Sequence, residues 1–301
     1  PLVFERDLAD LWQKASLPNA CDPVLSAAHD QGLLTPERVW TRIQVAADAG
    51  KGGTVASLAP WLAGDDAIAA QRIAQALNDP GTALRDAGTW PDTPRHRQAV
   101  TLALQRMARK QSTAADTAWN ALSSHFTLSE QQRGAILNAL ALFHATDFDE
   151  SALDRLAALP PGAQTDATRE WRVRVALARQ DWTAALSALD ALGESQKDDG
   201  EWRYFRALVL TKLGRQGEAK SLYQSVSQEA TYFGFLAADR IDTSYAICPS
   251  TMATDERREA ALLADPGLDR AFELYAVGLQ KLARREWTAA LSGRDADTQR
   301  L

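Results

Sequence analysis

One fragment recurs along this chain and restricts what it can fold into: a helical stretch, a short polar break, then Trp or a small residue, two Ala and a Leu. Its clearest copies are Arg179-Gln-Asp-Trp-Thr-Ala-Ala-Leu186 and Arg284-Arg-Glu-Trp-Thr-Ala-Ala-Leu291. Two successive units open on Glu170-Trp-Arg172 and Glu201-Trp-Arg203, 31 residues apart. A helix pair of that period carries an apolar face it cannot bury alone, so neighbouring pairs must stack. The predicted fold is all-α, an irregular α-solenoid built from tetratricopeptide-like helix pairs.

Composition supports that reading. Hydrophobic residues make up 46% of the chain, enough for a buried core. Ala and Leu dominate, β-branched residues are sparse, and the 17 Gly and 12 Pro fall mostly between periodic segments. No apolar run approaches the roughly 20 residues that span a bilayer, so no membrane span is predicted. The start, Pro-Leu-Val-Phe-Glu-Arg, has neither an initiator Met nor a signal-like apolar core and reads as a processed or cut piece. A net charge of −6 opposes general affinity for nucleic acid, although Arg95-His-Arg97 and Arg284-Arg285 are locally basic. The nine Trp are expected mainly as anchors between helices. Cys21 and Cys248 are compatible either with one long-range disulfide or with two free thiols.

Punctuation divides the chain into helix pairs. Thr35-Pro36-Glu37 opens a helix that stops at Gly50-Lys-Gly-Gly53, and a second runs from about Thr54 to Ala63. Further elements break at Asn78-Asp-Pro-Gly81, start after Pro94, break at Arg109-Lys-Gln-Ser112 and start again at Leu128-Ser129-Glu130. Pro160-Pro161-Gly162 precedes the two clearest units, about 168–192 and 199–228. The second has Trp202, Ala207, Leu213-Gly214, Ala219 and Tyr223 in tetratricopeptide-like positions, with Ala where helices cross closely. Asp242 to Thr254 reads as a linker, followed by a last pair at about 267–283 and 285–292.

No catalytic, metal or cofactor constellation emerges. His29, His96, His125 and His144 lack ligand spacing, and Gly50-Lys-Gly-Gly53 lacks both Walker spacing and a preceding strand. Ser124-His125 has no nucleophile-elbow context. Glycosidic cleavage needs a carboxylic acid of raised pKa. Two acidic clusters, Asp147-Asp149-Glu150 and Asp198-Asp199-Glu201, precede predicted helices, where capping explains them.

The segment Tyr232-Phe-Gly-Phe-Leu-Ala-Ala-Asp-Arg-Ile241 resembles the aromatic-Gly-Phe-Leu-Ala-Ala-Asp-Arg stretch of the soluble lytic murein transglycosylases. Leu17-Pro-Asn-Ala-Cys-Asp22, Arg42-Ile with Ala46 through Ala49-Gly50, Arg172 through Ala176-Leu177, and Glu201-Trp-Arg-Tyr204 agree in order. The resemblance implies a superhelical doughnut, a helical linker domain and a lysozyme-like catalytic domain. It also implies non-hydrolytic cleavage of the MurNAc–GlcNAc bond of peptidoglycan to 1,6-anhydro-MurNAc, in the periplasm. The family's catalytic Glu lies in a Glu-Ser motif followed by Gly-Leu-Met-Gln. Here the only Met residues are Met107 and Met252, and Glu150-Ser151 and Glu194-Ser195 lie within the solenoid.

By the resemblance, residues 1–249 match the doughnut without its first part and residues 250–301 match the start of the linker domain. The catalytic domain is not matched, and this chain alone is expected to be inactive. In the family the cysteine corresponding to Cys21 can pair with one further upstream, so no Cys21–Cys248 bridge is expected. Expected partners are peptidoglycan glycan strands, a catalytic domain of the same protein and other cell-wall proteins, with no nucleic acid and no cofactor. Tyr232, Phe233, Arg240, Trp202, Arg203 and Tyr204 are the candidate glycan or domain contacts. The alternative function is a non-enzymatic repeat scaffold that holds a peptide or protein in its concave groove.

Overall fold

The computed structural model describes residues 3–247, 255–295 and 298–299, which are helical or loop throughout with no strand among them. Two compact units are distinguishable, Pro1–Ala219 and Lys220–Leu301.

The first unit opens with α1 (Ala9–Trp12), α2 (Asp22–Asp30), α3 (Pro36–Asp48) and α4 (Gly52–Leu58). Then come α5 (Gly64–Asn78), α6 (Pro80–Asp86), α7 (Pro94–Ala108), α8 (Ser112–Leu122) and α9 (Glu130–Thr146). It continues through α10 (Ala152–Ala157), α11 (Asp166–Ala178), α12 (Trp182–Asp190), α13 (Glu194–Lys197) and α14 (Gly200–Lys212). Helix α15 (Gln216–Val226) carries the chain across the 219/220 boundary. Starts are set by side-chain caps: Thr35 receives the Arg38 N–H, Thr93 that of His96, and Ser129 forms a reciprocal capping box with Gln132. Thr35, Pro94 and Ser129 thus act as their sequence signals indicate. The second helix starts at Gly52, two residues before the expected Thr54, and ends at Leu58, after which a short 3₁₀ turn carries Pro60.

Packing in this unit is solenoidal. Helices α5, α7, α9 and α11 stack side by side in that order, while α6, α8 and α10 pack against their chain neighbours. Small residues allow close crossings: Ala99, Ala103, Ala145, Ala176 and Ala207 are fully buried. The core is segmented, with one cluster running from Leu8 to Leu140, a second around Leu156 and Val175, and a third around Val173, Leu189 and Trp202.

The second unit contains α16 (Tyr232–Ile241), α17 (Glu256–Leu263), α18 (Pro266–Ala276) and α19 (Gln280–Leu291). Its last pair turns at Gly278 (φ +82°) and not near residue 284, because the Leu279 N–H closes on the Leu274 carbonyl at 2.9 Å. The two Trp-Thr-Ala-Ala-Leu copies therefore differ in place. The first starts a helix after Gln180 (φ +57°), with Asp181 accepting the Ala184 N–H. The second closes α19, and Glu286, at the position equivalent to Asp181, pairs with Arg270 at 3.1 Å.

Candidate functional site

The repeated Glu-Trp-Arg openings of α11 and α14 meet at one seam. The Arg174 guanidinium lies 4.8 Å from the Trp202 ring and 5.6 Å from the Trp171 ring. It pairs with Glu170 at 3.1 Å and with Glu201 at 3.8 Å. The Gln196 amide donates to Glu170 at 2.9 Å and to the Asp166 carbonyl at 3.1 Å. Burial pushes the Glu201 carboxyl above the usual carboxylate range; Asp199 and Glu170 add to the rise, and Arg174 opposes it. A half-buried carboxyl of raised pKa resembles a general acid, but this one is tied between two repeats, and Asp199 caps α14 through the Glu201 N–H.

Trp202 and Tyr204 are buried in this seam, with Phe205 packed 6.1 Å from the Trp202 ring and 5.8 Å from the Tyr204 ring. Arg203 is half-buried and donates to the Asp198 carbonyl at 3.1 Å. Sequence reasoning singled out Trp202 but missed Arg174 and Gln196. The signal was present: Arg174 lies one helical turn after Glu170, on the same face.

The Tyr232–Ile241 segment forms α16 as one complete helix. Thr231 caps it by accepting the Gly234 N–H at 3.1 Å, and Asp242 ends it in the left-handed conformation (φ 52°). Gly234 explains the motif's central glycine: a Cβ there would sit 2.0 Å from the Glu229 carbonyl oxygen. Tyr232 is 70% exposed and meets Phe233 edge-on at 5.2 Å, while Phe233 itself is half-buried. Arg240 is exposed on the last turn. The Tyr245 hydroxyl donates to Asp239 at 2.7 Å, tying the following strand of loop back to the helix.

The histidines serve separate helices. His29 packs on Trp61 and His125 reaches the Trp90 carbonyl at 3.0 Å. His96 is held between Arg72 and Thr93, and His144 meets Asp116 at 2.9 Å. Ser151 lies near His144 in sequence but bonds to Asp149 at 2.5 Å and receives Arg155 at 2.7 Å. Among the described residues no three His, Cys, Asp or Glu side chains converge to hold a metal ion. Of the Glu-Ser pairs, Glu150 receives Arg179 on its main-chain carbonyl at 2.8 Å and Glu194 pairs with Lys197 at 2.9 Å. Cys21 is a free thiol, and Cys248 lies outside the described residues, as do Met252 and most of the expected Asp242–Thr254 linker. No helix among the described residues is long and apolar enough to cross a membrane.

No family model matches the chain. The soluble lytic murein transglycosylase of Escherichia coli is 30% identical to it over 293 residues, covering 96% of this chain and 45% of that protein. The protein of the same description from Salmonella typhimurium is 30% identical over 296 residues, with the same coverage. Among solved structures, an inactive mutant of the lytic transglycosylase Slt from Pseudomonas aeruginosa matches with a TM-score of 0.81 at 28% identity, covering 97% of this chain and 48% of that one. The 70-kDa soluble lytic transglycosylase of Escherichia coli matches with a TM-score of 0.79 at 29% identity. The chain thus spans about half the length of the relatives it matches. The resemblance read from a handful of motifs extends over nearly its whole length.

Proposed function

We propose that this chain, related over nearly all its length to the soluble lytic murein transglycosylases, is the substrate-positioning segment of such an enzyme. It would hold peptidoglycan strands in the periplasm while a lysozyme-like catalytic domain cleaves the MurNAc–GlcNAc bond to 1,6-anhydro-MurNAc. Residues 1–249 would supply the doughnut-type solenoid and residues 250–301 the start of the linker domain. The observation that carries the reading is the 96% coverage of this chain against 45% of its relative. The carboxylates of this stretch support a non-catalytic role, since Glu201 and Glu170 stitch repeats together and Glu194 pairs locally on an exposed turn. Tyr232 and Arg240, exposed on α16, are the contact residues of choice for glycan or partner domain. Trp202 and Tyr204 act through packing.

The test is digestion of purified sacculi by this chain alone, read by mass for 1,6-anhydro-muropeptides, beside a pull-down on insoluble peptidoglycan. Retention on sacculi without anhydro products is the expected result. Anhydro products overturn the non-catalytic reading, with Glu150 and Glu194 the first residues to substitute. Neither retention nor cleavage favours the scaffold that binds a peptide or protein.

A further inference from the structure

The Gly50-Lys-Gly-Gly53 break has a use beyond ending a helix. A Cβ on Gly52 would meet the Asn78 amide at 2.3 Å, and one on Gly50 (φ +66°) would come 3.0 Å from the Arg106 guanidinium. The glycines thus let Asn78 and Arg106 lie against the main chain at the head of a groove. That groove, of about 800 Å³, runs between the α5–α6 corner and the facing ends of α7 and α8. Its apolar lining has Leu84 and Leu122 buried at the base, beside the half-buried Met107, Ala114 and Ala118.

Its rim is basic in a chain of net charge −6. Arg85, Arg106 and Lys110 face one carboxylate, Asp79, which is engaged by the Thr82 N–H at 3.2 Å. Arg106 and Lys110 are both solvent-exposed where they line the groove, so their charges are within reach of a ligand. The apolar lining takes methyl groups. No aromatic side chain lines the groove to stack nucleobases. An extended chain of small apolar residues bearing free carboxylates fits both surfaces.

We infer that this groove binds the carboxylate-bearing peptide stems of peptidoglycan, an inference that rests on the positioning role above. The stem's alanyl groups lie on the apolar lining, and its carboxylates accept charge-assisted hydrogen bonds from Arg106 and Lys110. Titration calorimetry with three soluble probes tests it: a disaccharide-tetrapeptide, the free tetrapeptide, and the same disaccharide without peptide. The unsubstituted chain should bind both peptide-bearing probes more tightly than the bare disaccharide, and more weakly as salt rises. Arg106→Gln with Lys110→Gln should weaken both by about tenfold or more. Ala121→Glu, which sets a negative charge in the groove, should do the same. Thermal melts of each variant verify folding.

Variants that bind as tightly as the unsubstituted chain overturn the inference. So does equal affinity for a scrambled acidic peptide of the same charge. If sacculi are retained but the tetrapeptide does not bind, the groove reading falls and the positioning role stands. If sacculi are not retained at all, the positioning role falls first and the stem groove with it.

Discussion

His96 ties the fold to pH through one ring. Its Nε2 accepts from Arg72 at 2.5 Å, so its Nδ1–H points at the Thr93 hydroxyl at 2.7 Å, the pattern of a neutral imidazole. Burial holds its pKa below the usual histidine range, the Arg72 charge lowers it further, and Asp65 and the Pro91 carbonyl oppose the shift. Below about pH 6.5 the unfolded chain therefore takes up a proton that the folded chain resists. Stability contributed here is complete above that pH and is lost as pH falls through the depressed folded-state value. The melting midpoint should drop on acidification from about pH 7 to about pH 5, and His96→Gln should flatten the drop; an equal slope in the variant counts against this account. Gly234 makes a steric prediction of the same grain. Gly234→Ala drives a methyl group into the Glu229 carbonyl and should cost about 1–3 kcal/mol, read from urea unfolding. The motif that carries the family resemblance was visible in sequence. Its reason, a backbone contact five residues upstream, was not, because no local pattern encodes that approach.

At the scale of elements, starts were easier to read than stops. Thr35, Pro94 and Ser129 each lie immediately beside or at a helix start, because a cap acts within three residues of itself. Ser129→Ala should destabilise α9 by about 1 kcal/mol, measurable as a lower melting midpoint. The last hairpin was misplaced for a physical reason. The second Trp-Thr-Ala-Ala-Leu copy suggests a break before Trp287, yet Glu286 continues the helix and the turn belongs to Gly278 in its left-handed conformation. Gly278→Ala should cost about 1 kcal/mol in the stability of the α18–α19 pair. A substitution of Glu286 should act through the Arg270 pair, which is exposed and worth only a few tenths of a kcal/mol. The seam of α11 and α14 was half legible. Period placed Trp202 on an inner face, but which side chains fill the space between repeats depends on stacking distance. The Arg174–Glu170 pairing was readable from spacing, but the reach of Arg174 to Trp202 and Glu201, and of Gln196 to Glu170, emerged only with the packed helices.

For the whole molecule, the segmented core decides how damage spreads. In a single-core domain a cavity anywhere lowers the stability of everything, whereas in a solenoid each repeat is stabilised by its neighbours alone. Leu104 and Leu189 are both buried in the first unit but belong to different clusters, separated by the one around Leu156 and Val175. Leu189→Ala should remove about 2–5 kcal/mol of local stability. Hydrogen exchange should then quicken through α11, α12 and α14, while the amides of α7 keep their protection. Leu104→Ala should reverse the pattern, and the two losses should add in the double variant because the sites share no packing partners. Uniform loss of protection along the unit after either substitution would mean that the stack unfolds as one body. Under the positioning role proposed above, local stability of this kind would let one repeat yield to a bulky stem or cross-link while the rest of the stack held the strand.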